Sequence, residues 1–226
     1  EITENEIAFN KAVNPVLKKT QEANDQEVVP LDLYMDKNNR LVVVSGPNAG
    51  GKSLVLKTVG LLQIILQCGM LVPVGVGSKM KWFERIMTDI GDPQSIESEL
   101  STYSGKLSKM KEILRHSDDK TLCLVDEFGS GSDPDLGSSL ARVFLSEIHK
   151  SKAFGIFTTH FNNIKAFAEE LSGASNANMS FDIESLTPQY TIQQGTPGSS
   201  YTFEVAERSG ISKRIMAEAK KNLKEQ

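Results

Sequence analysis

The sequence predicts an α/β fold, a mainly parallel sheet with helices on both faces, and three observations carry that prediction. Apolar, β-branched runs alternate with stretches of helical period, the pattern of successive βα units. The first strongly apolar run, Leu41–Ser45, leads directly into GPNAGGKS, which is followed at once by a helical pattern. A later run, TLCLV, ends in the adjacent carboxylates Asp126 and Glu127. Strand, glycine loop and helix, joined by a second strand ending in acids, is the order a phosphate cradle requires.

Taken along the chain, residues 1–25 are polar, mixed and weakly periodic, and little is assigned there. Residues 28–35 alternate apolar and polar, 36–39 supply turn chemistry, and Leu41–Ser45 follows, which reads as a hairpin leading into a buried strand. Residues 54–68 carry Leu, Val and Ile at helical spacing until Gly69 ends the pattern. A short strand is expected over 85–90, a helix over 101–116, a strand over Thr121–Val125, a helix over 135–150 and a strand over 154–159. Residues 175–181 and 189–194 read as a terminal hairpin, and a Gly/Pro/Ser linker at 195–199 leads into short helices over 201–209 and 212–224. The division expected is a lead-in segment (1–27) from a preceding domain, a nucleotide-binding domain (28–197) and a C-terminal helical element (198–226). The opening Glu1 and the charged close suggest a domain cut from something longer.

A chain of 226 residues with 39% hydrophobic and 24% charged residues is an ordinary globular domain, and no apolar run approaches a membrane span. Lys and Arg number 25 against 29 Asp and Glu, a net charge of −4, which lacks the basic balance of a surface that grips DNA phosphates. Any nucleic-acid grip is therefore local or lies elsewhere. Cys68 and Cys123 stand in apolar surroundings without a CxxC pair, so buried thiols in a reducing, cytoplasmic compartment are expected, without zinc. Without a basic-then-apolar leader, the sequon-like Asn178-Met179-Ser180 carries no meaning.

Gly46, Pro47, Asn48, Ala49, Gly50, Gly51, Lys52 and Ser53 fit G-x-x-x-x-G-K-[ST]. Glycines let backbone N–H groups turn inward around phosphates, and the helix start adds its positive end. Lys52 is expected on the β- and γ-phosphates of ATP, with Ser53 on Mg²⁺. Asp126 is expected to hold Mg²⁺ through its water shell and Glu127 to orient or deprotonate the attacking water. An acidic pair after a strand also serves as a helix cap or a solvated turn. His160, following Thr158 and Thr159, stands where a γ-phosphate sensor belongs, although an isolated histidine also serves as a structural hydrogen-bonder.

These residues resemble the ATPase domain of the MutS family, within the ATP-binding-cassette class of P-loop NTPases. GPNAGGKS, the LCLVDE strand, the loop from Gly129 to Asp133 and TTH at Thr158 to His160 occur in that family's order, and the likeness spans residues 14–219. LKTVGL at 56–61 and DIGDPQSI at 89–96, running into LSTYS at 100–104, are most similar to the bacterial paralogue branch that lacks the mismatch-recognition domain and usually carries a C-terminal Smr nuclease domain. The mismatch-repair branch typically has Thr after the loop serine, where this chain has Leu54. The resemblance implies that Ser101 contacts the γ-phosphate bound in a partner subunit, although Ser101 also fits a helix N-cap. It implies that Asp92 and Gln94 sense nucleotide, that Asp133 lies in a loop crossing the dimer interface and that residues 198–206 begin C-terminal dimerisation helices. Asn14-Pro15 stands where the family more often has His-Pro, which leaves the adenine contacts unassigned.

The mechanism so implied is a homodimer with composite ATP sites that clamps or remodels branched or mismatched DNA through domains outside this chain. Suppression of recombination, action on stalled ribosomes with their rRNA, and endonuclease activity only in absent domains are the associated expectations. A transporter cassette would show an LSGGQ-like run where this chain has STYSGK, and a chromosome-organising head would need long heptad arms between its motifs. The alternative of another class is a non-catalytic, nucleotide-gated dimerisation module.

Overall fold

The computed structural model describes residues 1–47, 50–91, 99–130, 133–198, 206, 208 and 210–224, with the side chains of 99–102, 220 and 222–224 left aside. Its centre is a six-stranded sheet in the order β10-β9-β4-β8-β7-β6. The strands are β4 (Leu41–Ser45), β6 (Arg85–Asp89), β7 (Thr121–Val125), β8 (Phe154–Thr158), β9 (Ala174–Asp182) and β10 (Thr187–Gln194). All neighbours are parallel except β9 and β10, which form the expected antiparallel hairpin.

Side chains alternate across this sheet and so fill two cores. On one face Val42 and Val44 of β4 and Leu122 and Leu124 of β7 meet Val55, Leu56, Val59 and Leu62 of helix α2 (Lys52–Gln67). On the other, Leu41, Val43, Cys123 and Val125 meet α3 (Glu99–His116), α4 (Pro134–Lys150) and α5 (Asn162–Glu170). Burial on both faces is why these strands read as unbroken apolar runs rather than alternating ones. Helix α5 was not anticipated: Ile164, Phe167, Ala168 and Leu171 do stand at helical spacing, but over only nine residues of helix.

The N-terminal segment is more ordered than its composition suggests. It contains β1 (Ile2–Thr3), β2 (Glu6–Ala12) and α1 (Pro15–Glu22), and Ile7, Phe9 and Ala12 are buried in the same core as α2. β3 (Leu31–Asp36) pairs antiparallel with β2, while β1 pairs parallel with β5 (Met80–Lys81). The expected hairpin is thereby corrected. The turn at 36–39 forms, with Asn39 N–H on Asp36 O, but β3 and β4 belong to different sheets. β4 takes β8 and β9 as its two neighbours, leaving β3 to a partner 25 residues upstream that the polar composition had concealed.

Cys123 is buried, and burial pushes its thiol up to about 11. Cys68 is exposed, contrary to expectation. It is the C-cap of α2, where the chain turns outward through Gly69 at φ +70. The expected helix at 201–209 lies largely outside the described residues, whereas α6 (Lys213–Lys224) is present.

Candidate functional site

Strands β4, β8 and β7 are adjacent and parallel, so the segments leaving their carboxyl ends emerge side by side. In sequence these are the glycine loop, Thr159-His160 and Asp126-Glu127. Three motifs spread from Gly46 to His160 along the chain are thus brought to one edge of the sheet, where open α/β folds bind ligands.

Gly46 at φ +134 and Gly51 at φ +93 adopt backbone conformations that side chains disfavour. A Cβ on Gly46 would also stand 3.2 Å from Met179 Cβ on β9, so the loop is laid directly on the neighbouring strand. Pro47 and Gly50 close a turn, with Gly50 N–H on Pro47 O at 3.0 Å, while Asn48 and Ala49 lie outside the described residues. Gly51 is the N-cap of α2 and supplies no side-chain cap, so the helix presents its first N–H groups without a side-chain acceptor. Lys52, the first residue of α2, is only 4% exposed, and its Nζ donates to the carbonyls of Gly46 and Pro47, each at 2.9 Å. Burial lowers its pKa, Lys165 lowers it slightly further, and the carboxylates of Asp126 and Glu127 oppose the shift.

The acidic pair is set by a threonine. The Thr158 hydroxyl donates to Asp126 Oδ1 at 2.5 Å and accepts from Glu127 N–H at 2.8 Å. Asp126 N–H donates to Asp89 O, and Phe128 N–H to Thr158 O, so the turn after β7 is stitched to both flanking strands. Glu127 has φ +49, a left-handed conformation that costs a non-glycine residue about 1–3 kcal/mol and clusters at functional sites. Its side chain is exposed, while Asp126 is half-buried. Asp126 and Glu127 line, with Ser53, Lys57, Gly91 and Lys106, a cavity of about 260 Å³. His160 stands exposed at the end of β8. Loss of hydration first and the Lys52 cation second hold its imidazole below the usual range, against the opposing pull of Glu127 and Asp126. Lys52, Asp126, Glu127 and His160 therefore occupy a single electrostatic neighbourhood.

Ser101 lies within α3 as its third residue, so it does not cap that helix; its side chain is outside the described residues, as are Asp92 and Gln94. Asp133 caps α4, accepting from the N–H groups of Asp135 and Leu136.

A second cavity, of about 270 Å³, opens on the other side of the loop between α1, α2 and β10, bounded by Asn14, Leu17, Val28, Val29, Gly51 and Tyr190. Tyr190 sits at a bulge of β10 with φ +56, and its ring comes 3.1 Å from the position a Cβ on Gly51 would occupy. Asn14 caps α1 through Val16 and Leu17 N–H and donates to Thr58 of α2. Tyr190 was passed over in the sequence, where its one available signal was a lone aromatic residue in a mostly polar strand. Thr158 was read only as part of the TTH run.

Residues 42–226 match MutS domain V. The chain is 41% identical over 202 residues to endonuclease MutS2 of Clostridium beijerinckii, covering 89% of this chain and 26% of that protein. It is 41% identical over 214 residues to endonuclease MutS2 of Geobacillus thermodenitrificans (95% and 26%) and 39% identical over 217 residues to that of Bacillus velezensis (96% and 27%). It spans about a quarter of the length of these curated relatives. Among the described residues no helix is long and apolar enough to cross a membrane. With the domain V match extending from the first central strand to the last residue, and with identities of this size, the chain belongs to the MutS family as an ATPase domain closely matching the MutS2 branch.

Proposed function

We propose that the chain binds ATP with Mg²⁺ in the glycine loop from Gly46 to Ser53 and hydrolyses it with Glu127 as the base or orienter of the attacking water. The observation that carries this is the electrostatic coupling of Lys52 and His160 to Asp126 and Glu127 at the carboxyl edge of the sheet, together with the cavity that the two carboxylates line with Ser53. The Lys52 ammonium, resting on two loop carbonyls, exchanges these acceptors for β- and γ-phosphate oxygens. The N–H groups of the loop and of the first turn of α2 bind the remaining phosphate oxygens. Neutral His160 meets the γ-phosphate as a hydrogen-bond donor. Thr158 keeps the two carboxylates apart in role, engaging one Asp126 oxygen while fixing the backbone of Glu127.

Ser53 and Asp126 offer one hydroxyl and one carboxylate, hard oxygen donors that fit a magnesium ion whose shell is completed by phosphate and water. Bound there, the ion supplies neutralisation of charge on the β- and γ-phosphoryl oxygens. The base of the nucleotide is assigned to the 270 Å³ cavity, against Tyr190 and Val29, which gives the adenine contacts that the motifs leave open.

At the next level the domain works as a cassette-type P-loop NTPase, a homodimer in which Ser101 of one subunit completes the γ-phosphate site of the other. Residues 198–226 form the dimerisation element. Exposed Ile215 on α6 and exposed Ile211 just before that helix support this by offering apolar surface to a partner. ATP binding closes the dimer and hydrolysis reopens it, which drives clamping or remodelling of branched or mismatched DNA by segments beyond this chain. Suppression of recombination or rescue of stalled ribosomes is the resulting activity, and any nuclease lies in those other segments.

Phosphate release by wild type, Glu127→Ala and Lys52→Ala tests the catalytic assignment. Glu127→Ala is expected to bind nucleotide but turn over at least about 10²-fold more slowly, and Lys52→Ala to lose nucleotide binding. Equal rates in wild type and Glu127→Ala would overturn the enzymatic reading in favour of a nucleotide-gated module.

A further inference from the structure

Lys165, on α5, is 8% exposed, and among the described residues it has no carboxylate partner. Among the described residues its Nζ donates to one acceptor, the carbonyl of Gly198, at 3.1 Å. An ammonium carries three donors and loses much of its hydration on burial, so one carbonyl is meagre compensation. As a contribution to stability this lysine is poorly spent; a methionine would fill the same space without the desolvation cost.

Gly198 is the informative neighbour. Its N–H donates to Ser45 Oγ at 2.7 Å, and Ser45 is the fully buried last residue of β4, immediately before the loop. A Cβ on residue 198 would stand 2.5 Å from Asn178 Oδ1, 2.8 Å from the Ser45 carbonyl carbon and 2.9 Å from Gly46 N. Gly198 is thus wedged against the backbone at the point where strand becomes loop. The chain of contacts runs from Lys165 to the Gly198 carbonyl, through that residue to Ser45, and so to Gly46, whose own carbonyl receives the Lys52 ammonium. The two contacts of Gly198 are long-range: 33 residues separate Lys165 from Gly198, and 153 separate Gly198 from Ser45.

We propose that Lys165 is a positioning residue for the phosphate loop: by holding the Gly198 carbonyl it keeps Gly198 pressed on Ser45 and Gly46 and so fixes the start of the loop in its phosphate-binding geometry. The role rests on the reading that the loop binds Mg-ATP. It goes beyond that reading by tying the loop to the segment that continues into the C-terminal helical element. Because Gly198 precedes that element in the chain, nucleotide binding and the placement of the C-terminal segment bias each other through one hydrogen-bonded wedge.

The test compares wild type with Lys165→Met, Lys165→Arg and Ser45→Ala in the whole chain, measuring affinity for Mg-ADP and Mg-ATP, kcat, KM and the thermal midpoint. Lys165→Met is expected to weaken nucleotide affinity about tenfold, the scale of one lost charge-assisted hydrogen bond, with its thermal midpoint unchanged or raised. Lys165→Arg is expected to recover part of that loss. Should Lys165→Met fail to fold, Ser45→Ala, which removes the acceptor of the Gly198 N–H and with it the weaker 3.4 Å bond to the Ala177 carbonyl, is expected to weaken affinity in the same direction. Wild-type binding matched within twofold by both Lys165→Met and Ser45→Ala would overturn the positioning role alone. Loss of affinity only in step with a falling thermal midpoint would overturn it as well. A wild-type chain that bound neither nucleotide would overturn the Mg-ATP reading itself, and this role with it.

Discussion

His160 is where charge, burial and mechanism meet most closely in one side chain. Desolvation and the Lys52 cation both disfavour its imidazolium, so its folded pKa lies below the ordinary 6.5 and the ring is neutral at neutral pH. Between those two values the unfolded chain binds a proton that the folded chain refuses. The contribution of this group to stability is therefore fully present above pH 6.5 and is lost as pH falls through the folded value. Denaturant midpoints measured from about pH 7.5 down to about pH 5 should decline more steeply for wild type than for His160→Gln, and parallel declines would contradict this. The shared placement of His160, Lys52, Asp126 and Glu127 was legible in the sequence because each sits inside a short contiguous motif that follows a recognisable strand. Thr158, Tyr190 and Lys165 were not, because what they do depends on partners 20 or more residues away: Asp126, the Gly51 turn and Gly198.

The arrangement of elements explains why those motifs converge. β4, β8 and β7 are buried on both faces and pair in parallel, so their carboxyl ends fall at one level, and each was recognisable as an unbroken apolar run. What sequence could not supply was pairing. β3 looked like the hairpin partner of β4, since alternation and a turn specify a strand and a reversal but not the sheet each strand enters. β2 and α1 escaped notice in a segment of polar, mixed composition, although Ile7, Phe9 and Ala12 of β2 are buried in the core; α1 buries no residue. Helix α2, which carries Lys52 and Ser53, is held against the sheet by close approach at Gly60, where a Cβ would come 2.9 Å from Leu124 Cδ1. Gly60→Val should push the helix away and destabilise the fold by about 1–3 kcal/mol, read as a lower denaturant midpoint. An unchanged midpoint would mean that this contact yields without cost.

At the scale of the whole molecule, the chain spans about a quarter of the length of its curated relatives, and under the proposed function its site is completed by a second copy. Mixing a Ser101→Ala chain with a Lys52→Ala chain should restore phosphate release from one site per heterodimer, to about half the wild-type rate for independent sites. The absence of any recovery would contradict sharing in trans. Beneath the dimer lies the claim on which the rest depends, that Lys52, Ser53, Asp126 and Glu127 surround one nucleotide. The most direct test is a crystal structure of the chain with Mg²⁺ and a non-hydrolysable ATP analogue. The account predicts the Lys52 ammonium moved from the Gly46 and Pro47 carbonyls onto the β- and γ-phosphates, the metal beside Ser53 and Asp126, and Glu127 facing the terminal phosphate. A nucleotide bound elsewhere, or bound with Lys52 still on those carbonyls and the metal distant from Asp126, would contradict it.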